Sequence, residues 1–303
     1  MLKNMLACCK LYISESRNIR ALHSIESSLK EHPKTLLVNR FTDEVYNRVG
    51  YTLVSTLIPG TNDTGPASPL TEAVFDMVEA AYEFADLGLH CGTHPRLGVV
   101  DHVCFHPLRD ATLDPVSALA RSVAARVGEE LAVPTYLYGA AHTSGRTLAS
   151  IRRQLGYFKP SASQNQWAGS LSPNSLNLKP DYGQINPAQN SKGVLTLGAT
   201  KWVDNYNVPI YCTDIELVKR IARQVSERGG GLESVQAMGL VHKEGVMEVA
   251  CNLLDPGRVG AGRVQAEVER LGRKEGLSVG KGYFTDFSEE RIVELYMKLI
   301  NSK

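Results

Sequence analysis

The sequence predicts an α+β protein made of two consecutive units, each on an antiparallel sheet, and three observations lead there. The order strand, helix, strand, strand, helix, strand can be read twice along the 303 residues. In each copy the two middle strands are separated by a short polar stretch, Thr42-Asp43-Glu44 in the first and Lys243-Glu244-Gly245 in the second, which makes each pair a hairpin. Between the copies, residues 156–194 are rich in Ser, Asn, Gln, Pro and Gly. That stretch exceeds the ~12–15 residues of an ordinary connection and reads as a binding loop or a mobile one.

Residues 5–12 read as the first strand. Ile19, Leu22, Ile25 and Leu29 then recur at helical spacing behind an Asn18 cap, and Pro33 stops the helix. Residues 35–41 and 47–57 are β-branched and apolar and should pair. Ser68-Pro69 supplies an N-cap and a first-turn proline, after which Leu70, Val74, Met77, Ala81 and Phe84 form one apolar stripe ending near Gly88. Residues 97–105 return to strand character and complete βαββαβ, the split-βαβ order of ferredoxin-like domains. Asp114-Pro115 caps a further helix through Leu131, residues 135–138 form a short strand, and Leu148, Ile151 and Leu155 mark one more helix.

The second copy starts with a strand through Tyr211. Ile215, Val218, Ile221 and Val225 follow on a helix ended by Gly229-Gly230-Gly231, then strands over 235–241 and 246–252. Val264, Val268 and Leu271 mark a helix, residues 277–283 a strand, and Ile292, Leu295 and Leu299 a terminal helix. The expected division is 1–200 and 201–303. The halves share an architecture and no residue-level identity.

Lys and Arg number 33 against 32 Asp and Glu, a net charge of +1, and no basic run exceeds Arg152-Arg153. A surface that neutralises nucleic-acid phosphates would carry a basic block, so the expected partner is a small-molecule substrate and no nucleic acid. No stretch approaches the ~20 apolar residues that cross a bilayer, and the N-terminus lacks a signal or transit pattern, so no membrane and a cytoplasmic location are expected. The six cysteines include no C-x-x-C pair and fit reduced thiols. The oligomeric state is open, a homodimer being compatible with the chain.

The densest reactive stretch, 89–107, holds His90, His94, His102 and His106, with Cys91 and Cys104 beside them. The spacing superficially offers zinc ligands for a metal-dependent hydrolase. Geometry argues against it. His102 and His106 fall on a predicted strand, where four residues at ~3.3 Å each separate them by ~13 Å. Gly92 and Pro95 break any helical pairing of His90 with His94, and H-E-x-x-H is absent. No metal is therefore expected. Held between Gly92 and Pro95, His94 is on a constrained loop just before a strand, where an imidazole can either meet a ligand or serve as a structural hydrogen-bonder.

Gly92, His94, Pro95, Arg96, Gly98, Asp101, Phe105 and Pro107 resemble the signature G-x-H-P-R-x-G-x-x-D-x-x-x-F-x-P of the formiminotransferase domain, the folate-dependent half of formiminotransferase-cyclodeaminase. The similarity extends to Asn47-Arg48, Leu137-Tyr138-Gly139, Arg146-Thr147-Leu148, Pro180-Asp181-Tyr182-Gly183, Gly198-Ala199 and Asn252-Leu253-Leu254, so it covers nearly the whole chain. The resemblance implies two ferredoxin-like subdomains with tetrahydrofolate, as co-substrate, in a cleft between them. It implies His94 as the catalytic histidine, and Asn47, Arg48, Arg96, Asp181, Tyr182, Gly183 and Gly198 as substrate- or folate-binding positions. The implied reaction moves a formimino group from N-formimino-L-glutamate to folate N5, with His94 as general acid and base, within one-carbon metabolism. Arg96 would orient a substrate carboxylate or pair with Asp101. Flat surfaces for a pterin are expected from Tyr157, Phe158, Trp167 and Tyr182, and cations for its glutamate tail from Arg152, Arg153, Lys179 and Lys192.

The chain also departs from the family pattern. Where the family usually reads C-V-P-N-F-S-E-G, it has Cys9-Lys10-Leu11-Tyr12-Ile13-Ser14-Glu15-Ser16, and Asn39 and Phe41 stand where acidic residues are usual. A longer insert separates Trp167 from Asp181. A folate or other small-molecule binder with lost or changed activity is the alternative. No cyclodeaminase segment is expected beyond Lys303, so a formimino product would pass to another protein.

Overall fold

A computed structural model of the chain describes residues 5–57, 68–158, 178–185 and 191–302. It is a mixed α/β structure with two sheets, and the chain divides into two compact units: Met1–Thr200 with Glu290–Lys303, and Lys201–Glu289.

The first unit contains β1 (Met5–Ile13), α1 (Ile19–Ser28), β2 (Thr35–Asp43), β3 (Arg48–Leu57), α2 (Pro69–Phe84), β4 (Val100–Leu108), α3 (Leu113–Glu130), β5 (Thr135–Gly139), α4 (Leu148–Gln154) and β6 (Leu195–Ala199). Its strands order as β2-β3-β1-β4-β6-β5. The first four are antiparallel neighbours, while β6 runs parallel to both β4 and β5. The second unit holds β7 (Asp204–Tyr211), α5 (Ile215–Val225), β8 (Val235–Lys243), β9 (Val246–Leu253), α6 (Ala261–Lys274), β10 (Ser278–Val279) and β11 (Tyr283–Phe284). Its order, β10-β7-β9-β8, repeats the β4-β1-β3-β2 order of the first unit. The terminal helix α7 (Glu289–Asn301) groups with the first unit from Glu290 on, contrary to the expected boundary at 303. Its buried stripe of Ile292 and Tyr296 accounts for that, the Tyr296 hydroxyl meeting the Thr56 side chain at the end of β3.

The caps act largely as expected. Asn18 accepts the Ala21 N–H at 3.2 Å, and Ser68 accepts that of Thr71 at 3.2 Å. Three expectations need correction. The helix expected to begin on an Asp114 cap starts one turn-position earlier at Leu113, with Thr112 as an N-cap that makes no side-chain bond; Asp114 instead adds negative charge to the first turn. The strand expected over 97–105 runs from Val100 to Leu108, because Leu97 and Gly98 are held by other partners: the Leu97 N–H goes to Asp101, and Gly98 bridges Gly193. The single strand expected over 277–283 is two short ones, broken at Gly280-Lys281-Gly282, where a side chain on Gly282 would strike the Tyr206 ring.

The strand β6 has no counterpart in the sequence reading. All five of its residues are buried. A short strand enclosed by parallel neighbours shows no period-two alternation, and so carries no local signal.

Alternation along β1 fixes the two faces of the first sheet. Ala7, Cys9, Leu11 and Ile13 pack into the apolar core with α1, α2 and α3. Lys10 and Tyr12 therefore face the other way. There Tyr12 is in register with Gly50 and His102, and Lys10 with Thr52 and Cys104. The parallel ladder continues this polar face through His102, Thr196 and Tyr136, and through Cys104, Gly198 and Tyr138. Among the described residues no helix is long and apolar enough to cross a membrane.

Candidate functional site

The turn from β2 into β3 sets up the site. Asn47 adopts φ 49°, a left-handed conformation that asparagine tolerates better than most residues. Its Oδ1 accepts the Ser16 N–H at 2.8 Å, tying the turn to the end of β1. Arg48, the next residue, begins β3 and reaches His94.

His94 is half-buried, and Nη1 of Arg48 lies against its ring, 3.0 Å from Nε2 and 3.4 Å from Nδ1. Nδ1 is 2.7 Å from the Pro95 carbonyl, which only accepts, so Nδ1 carries the proton. With that proton on Nδ1, Nε2 is the nitrogen left to accept. The imidazole is thus neutral in a defined tautomer. Burial, with Arg48 next and Arg152 behind it, holds its pKa well below the usual histidine value. Tyr46 meets the ring edge-on at 5.2 Å between centroids.

Asp101 is 2% exposed and anchors the cations. Its Oδ1 accepts the Leu97 N–H at 2.7 Å; its Oδ2 lies 3.3 Å from Arg152 and 3.7 Å from Arg48. The Arg152 guanidinium also covers the Tyr157 ring at 4.3 Å. Ser14, Tyr46, Asn47, Arg48, His94, Pro95, Arg96 and Asp101 line one narrow recess.

Of the two roles considered for Arg96, the ion pair with Asp101 is not the one formed. Arg96 is 2% exposed, and its Nη2 donates to the carbonyls of Gly92 at 2.7 Å and His94 at 2.5 Å, so it shapes the loop backbone. The ion pairs to Asp101 come from Arg48 and Arg152 instead. Burial lowers the Arg96 pKa to about 10.

Asp181, Tyr182 and Gly183 gather elsewhere in the same unit, against β5, where Tyr182 makes an isolated bridge to Thr135. The Tyr182 carbonyl accepts the Thr135 N–H at 2.9 Å, and Asp181 Oδ2 takes the Leu137 N–H at 2.7 Å and an Arg146 guanidinium. Arg146 in turn donates to the Leu137 carbonyl at 2.8 Å. Three separate sequence motifs thus form one brace. Gly183 has φ +72°, and a Cβ there would lie 2.5 Å from the Val133 carbonyl oxygen. Gly198 is on β6, where a Cβ would lie 2.5 Å from the Tyr138 ring.

The remaining histidines of the cluster have separate partners. His90 Nδ1 is 2.7 Å from the Ser14 carbonyl, His102 Nε2 is 2.6 Å from the Tyr138 hydroxyl, and His106 Nδ1 is 3.1 Å from the Thr200 carbonyl. Among the described residues no group of three or more His, Cys, Asp or Glu is placed to hold a metal. Trp167 lies outside the described residues.

Tyr12 was not among the expected site residues. Its ring stacks on His102 at 5.6 Å with planes 11° apart, and the Arg48 guanidinium lies over it at 4.7 Å. The available signal was the alternation of β1, which puts Lys10 and Tyr12 together on the polar face.

The profile of the formiminotransferase domain, N-terminal subdomain, matches residues 6–200. The chain belongs to the formiminotransferase family. This family member is 55% identical over 302 residues to a formiminotransferase cyclodeaminase-like protein of Arabidopsis thaliana, covering 100% of both chains. It is 28% identical over 316 residues to a glutamate formimidoyltransferase of Thermoplasma acidophilum, covering 96% of each. With a formimidoyltransferase-cyclodeaminase of Sus scrofa it shares 30% identity over 262 residues, 83% of the formiminotransferase-family chain described here and 44% of that relative.

Proposed function

We propose that this chain is a glutamate formimidoyltransferase that moves the formimino group of N-formimino-L-glutamate to N5 of tetrahydrofolate. Each unit is then a ferredoxin-like βαββαβ fold, consistent with the shared strand order. The observation that carries the reading is the neutral His94 imidazole, with Nδ1 committed to the Pro95 carbonyl and Nε2 left as its one acceptor, in a recess rich in guanidinium groups. Near-complete coverage of a glutamate formimidoyltransferase supports it.

In this reaction folate N5 bonds to the formimino carbon, and the carbon–nitrogen bond to glutamate breaks. His94 Nε2 takes the proton that N5 sheds and returns a proton to the departing glutamate nitrogen. A neutral imidazole is the form the first transfer needs, and burial with Arg48 keeps it neutral at physiological pH. Asp181, Tyr182 and Gly183, braced on β5, hold the edge against which folate binds.

The contact between Arg48 and Nε2 favours one second reading: a folate-binding protein in which the base stays covered and no transfer occurs. Isothermal titration with tetrahydrofolate tests the shared premise. Micromolar binding is expected, and its absence would remove both readings. Transfer from formiminoglutamate then separates them.

A further inference from the structure

Three guanidinium groups and one carboxylate surround His94. With the imidazole neutral, Arg48, Arg96 and Arg152 against Asp101 leave two positive charges in excess. Asp101 has little left to give, since Oδ1 is committed to Leu97 and Oδ2 is shared by Arg152 and, more distantly, Arg48. Among the described residues, Arg96 Nη1 and Arg152 Nε are buried N–H donors without an acceptor. Their residues are only 2% and 9% exposed. Buried donors in folded proteins are nearly always satisfied, so each of these calls for an acceptor, and Arg96 lines the recess beside His94.

Arg48 is the loosest of the three cations. At 3.7 Å its ion pair with Asp101 is beyond hydrogen-bond range, its face rests on Tyr12, and its closest polar partner is the neutral Nε2 of His94. One N–H given to a neutral imidazole is a weaker use of a guanidinium fork than two given to a carboxylate.

Deepening the proposed reaction and resting on it for the substrate class, we propose that Arg48 is a displaceable cap on His94: a substrate carboxylate entering the recess takes the Arg48 guanidinium off the imidazole and frees it, through Nε2, as the general base. Arg96, which lines the same recess, supplies an empty donor for that anion. The base is then free only when a carboxylate is seated, which couples proton transfer to substrate occupancy. The groups facing the imidazole are Arg48 from β3, Arg152 from α4, Tyr46 and Tyr157 at its edges, and Arg96 and Asp101 from its own loop and strand. Two carboxylates share the required chemistry, that of the formimino donor and that of the folate glutamate tail.

The test is an NMR titration of His94 in full-length protein labelled on histidine, assigned by comparison with His94→Gln, alone and with saturating L-glutamate, pteroylglutamate or pteroate. Removing a neighbouring cation and adding an anion raises the imidazole pKa, by about one pH unit. A rise with L-glutamate assigns the donor carboxylate; a rise with pteroylglutamate and none with pteroate assigns the folate tail. In Arg48→Gln, whose fold is checked by its melting temperature, the free protein should titrate at the raised value, and the ligand-induced rise should shrink by half or more. No movement with any probe in the unsubstituted protein, or an equal rise with pteroate, overturns the cap. Loss of formimino transfer with the rise intact counts against the reaction and supports the cap; transfer with a ring that never moves does the reverse.

Discussion

Nη1 of Arg48 lies 3.0 Å from Nε2 and 3.4 Å from Nδ1 of His94, so a guanidinium cation sits against the imidazole. Both residues come from segments fixed by other contacts: Arg48 by the Asn47 turn, and His94 by the Arg96 bonds to its own backbone and to Gly92. Basicity at this site is therefore set by the spacing of two loops.

Removing the cation should move the pH profile. Arg48 lowers the His94 pKa in the free protein, so Arg48→Gln raises it, and the acid limb of kcat/KM, which rises as His94 loses its proton, shifts to higher pH. A profile measured from pH 5 to 9 checks this; an unmoved acid limb would show that another group titrates.

Stability should also follow these histidines. Burial, followed by the nearby arginines, holds both His94 and His102 well below the usual value of about 6.5. Between their native values and 6.5 the unfolded chain binds more protons, so the stabilisation is complete above about pH 6.5 and is lost as pH falls toward the native values. The slope is at most ~1.4 kcal/mol per pH unit for each histidine. Melting temperature should fall from pH 7.5 to 5.5, and less steeply in His102→Phe. Equal slopes in the two proteins would contradict the contribution of His102.

Gly183→Ala should destabilise the protein. At φ +72° an alanine costs about 1–2 kcal/mol, and its methyl would crowd the Val133 carbonyl besides. Urea unfolding at neutral pH measures the loss. An unchanged midpoint would mean that the 181–183 segment contributes nothing to the fold of β5.

Asp181→Asn tests the brace between motifs. It weakens the Arg146 pair and the acceptor for the Leu137 N–H, an expected loss of about 1–2 kcal/mol, and it should raise KM for folate more than it lowers kcat. A fall in kcat alone would place Asp181 in the proton path rather than beside the ligand.

The parts of the fold that follow local rules could be read from the sequence. Asn18 and Ser68 cap where expected, and both hairpins pair as their polar turns imply. What lay beyond local rules was long-range. The enclosed strand Leu195–Ala199 lacks alternation, and the partners of Leu97 and Gly98 are set by Asp101 and Gly193, distant or off-pattern in sequence. The site divides the same way. The motif around His94 exposed the residue itself, but pairing of Arg48 with its Nε2 joins positions 46 apart, and the stack of Tyr12 on His102 depends on the register of β1 with β4.

The most direct measurement mixes the purified chain with tetrahydrofolate and N-formimino-L-glutamate and follows formation of the N5-formimino product, in parallel with His94→Ala. The unsubstituted chain should turn over, and the variant should lose about 10²–10⁴-fold in kcat while its folate affinity stays nearly constant. Equal rates in the two proteins, or no product from a chain that binds folate, would contradict His94 as the acid–base group of a formimidoyltransferase.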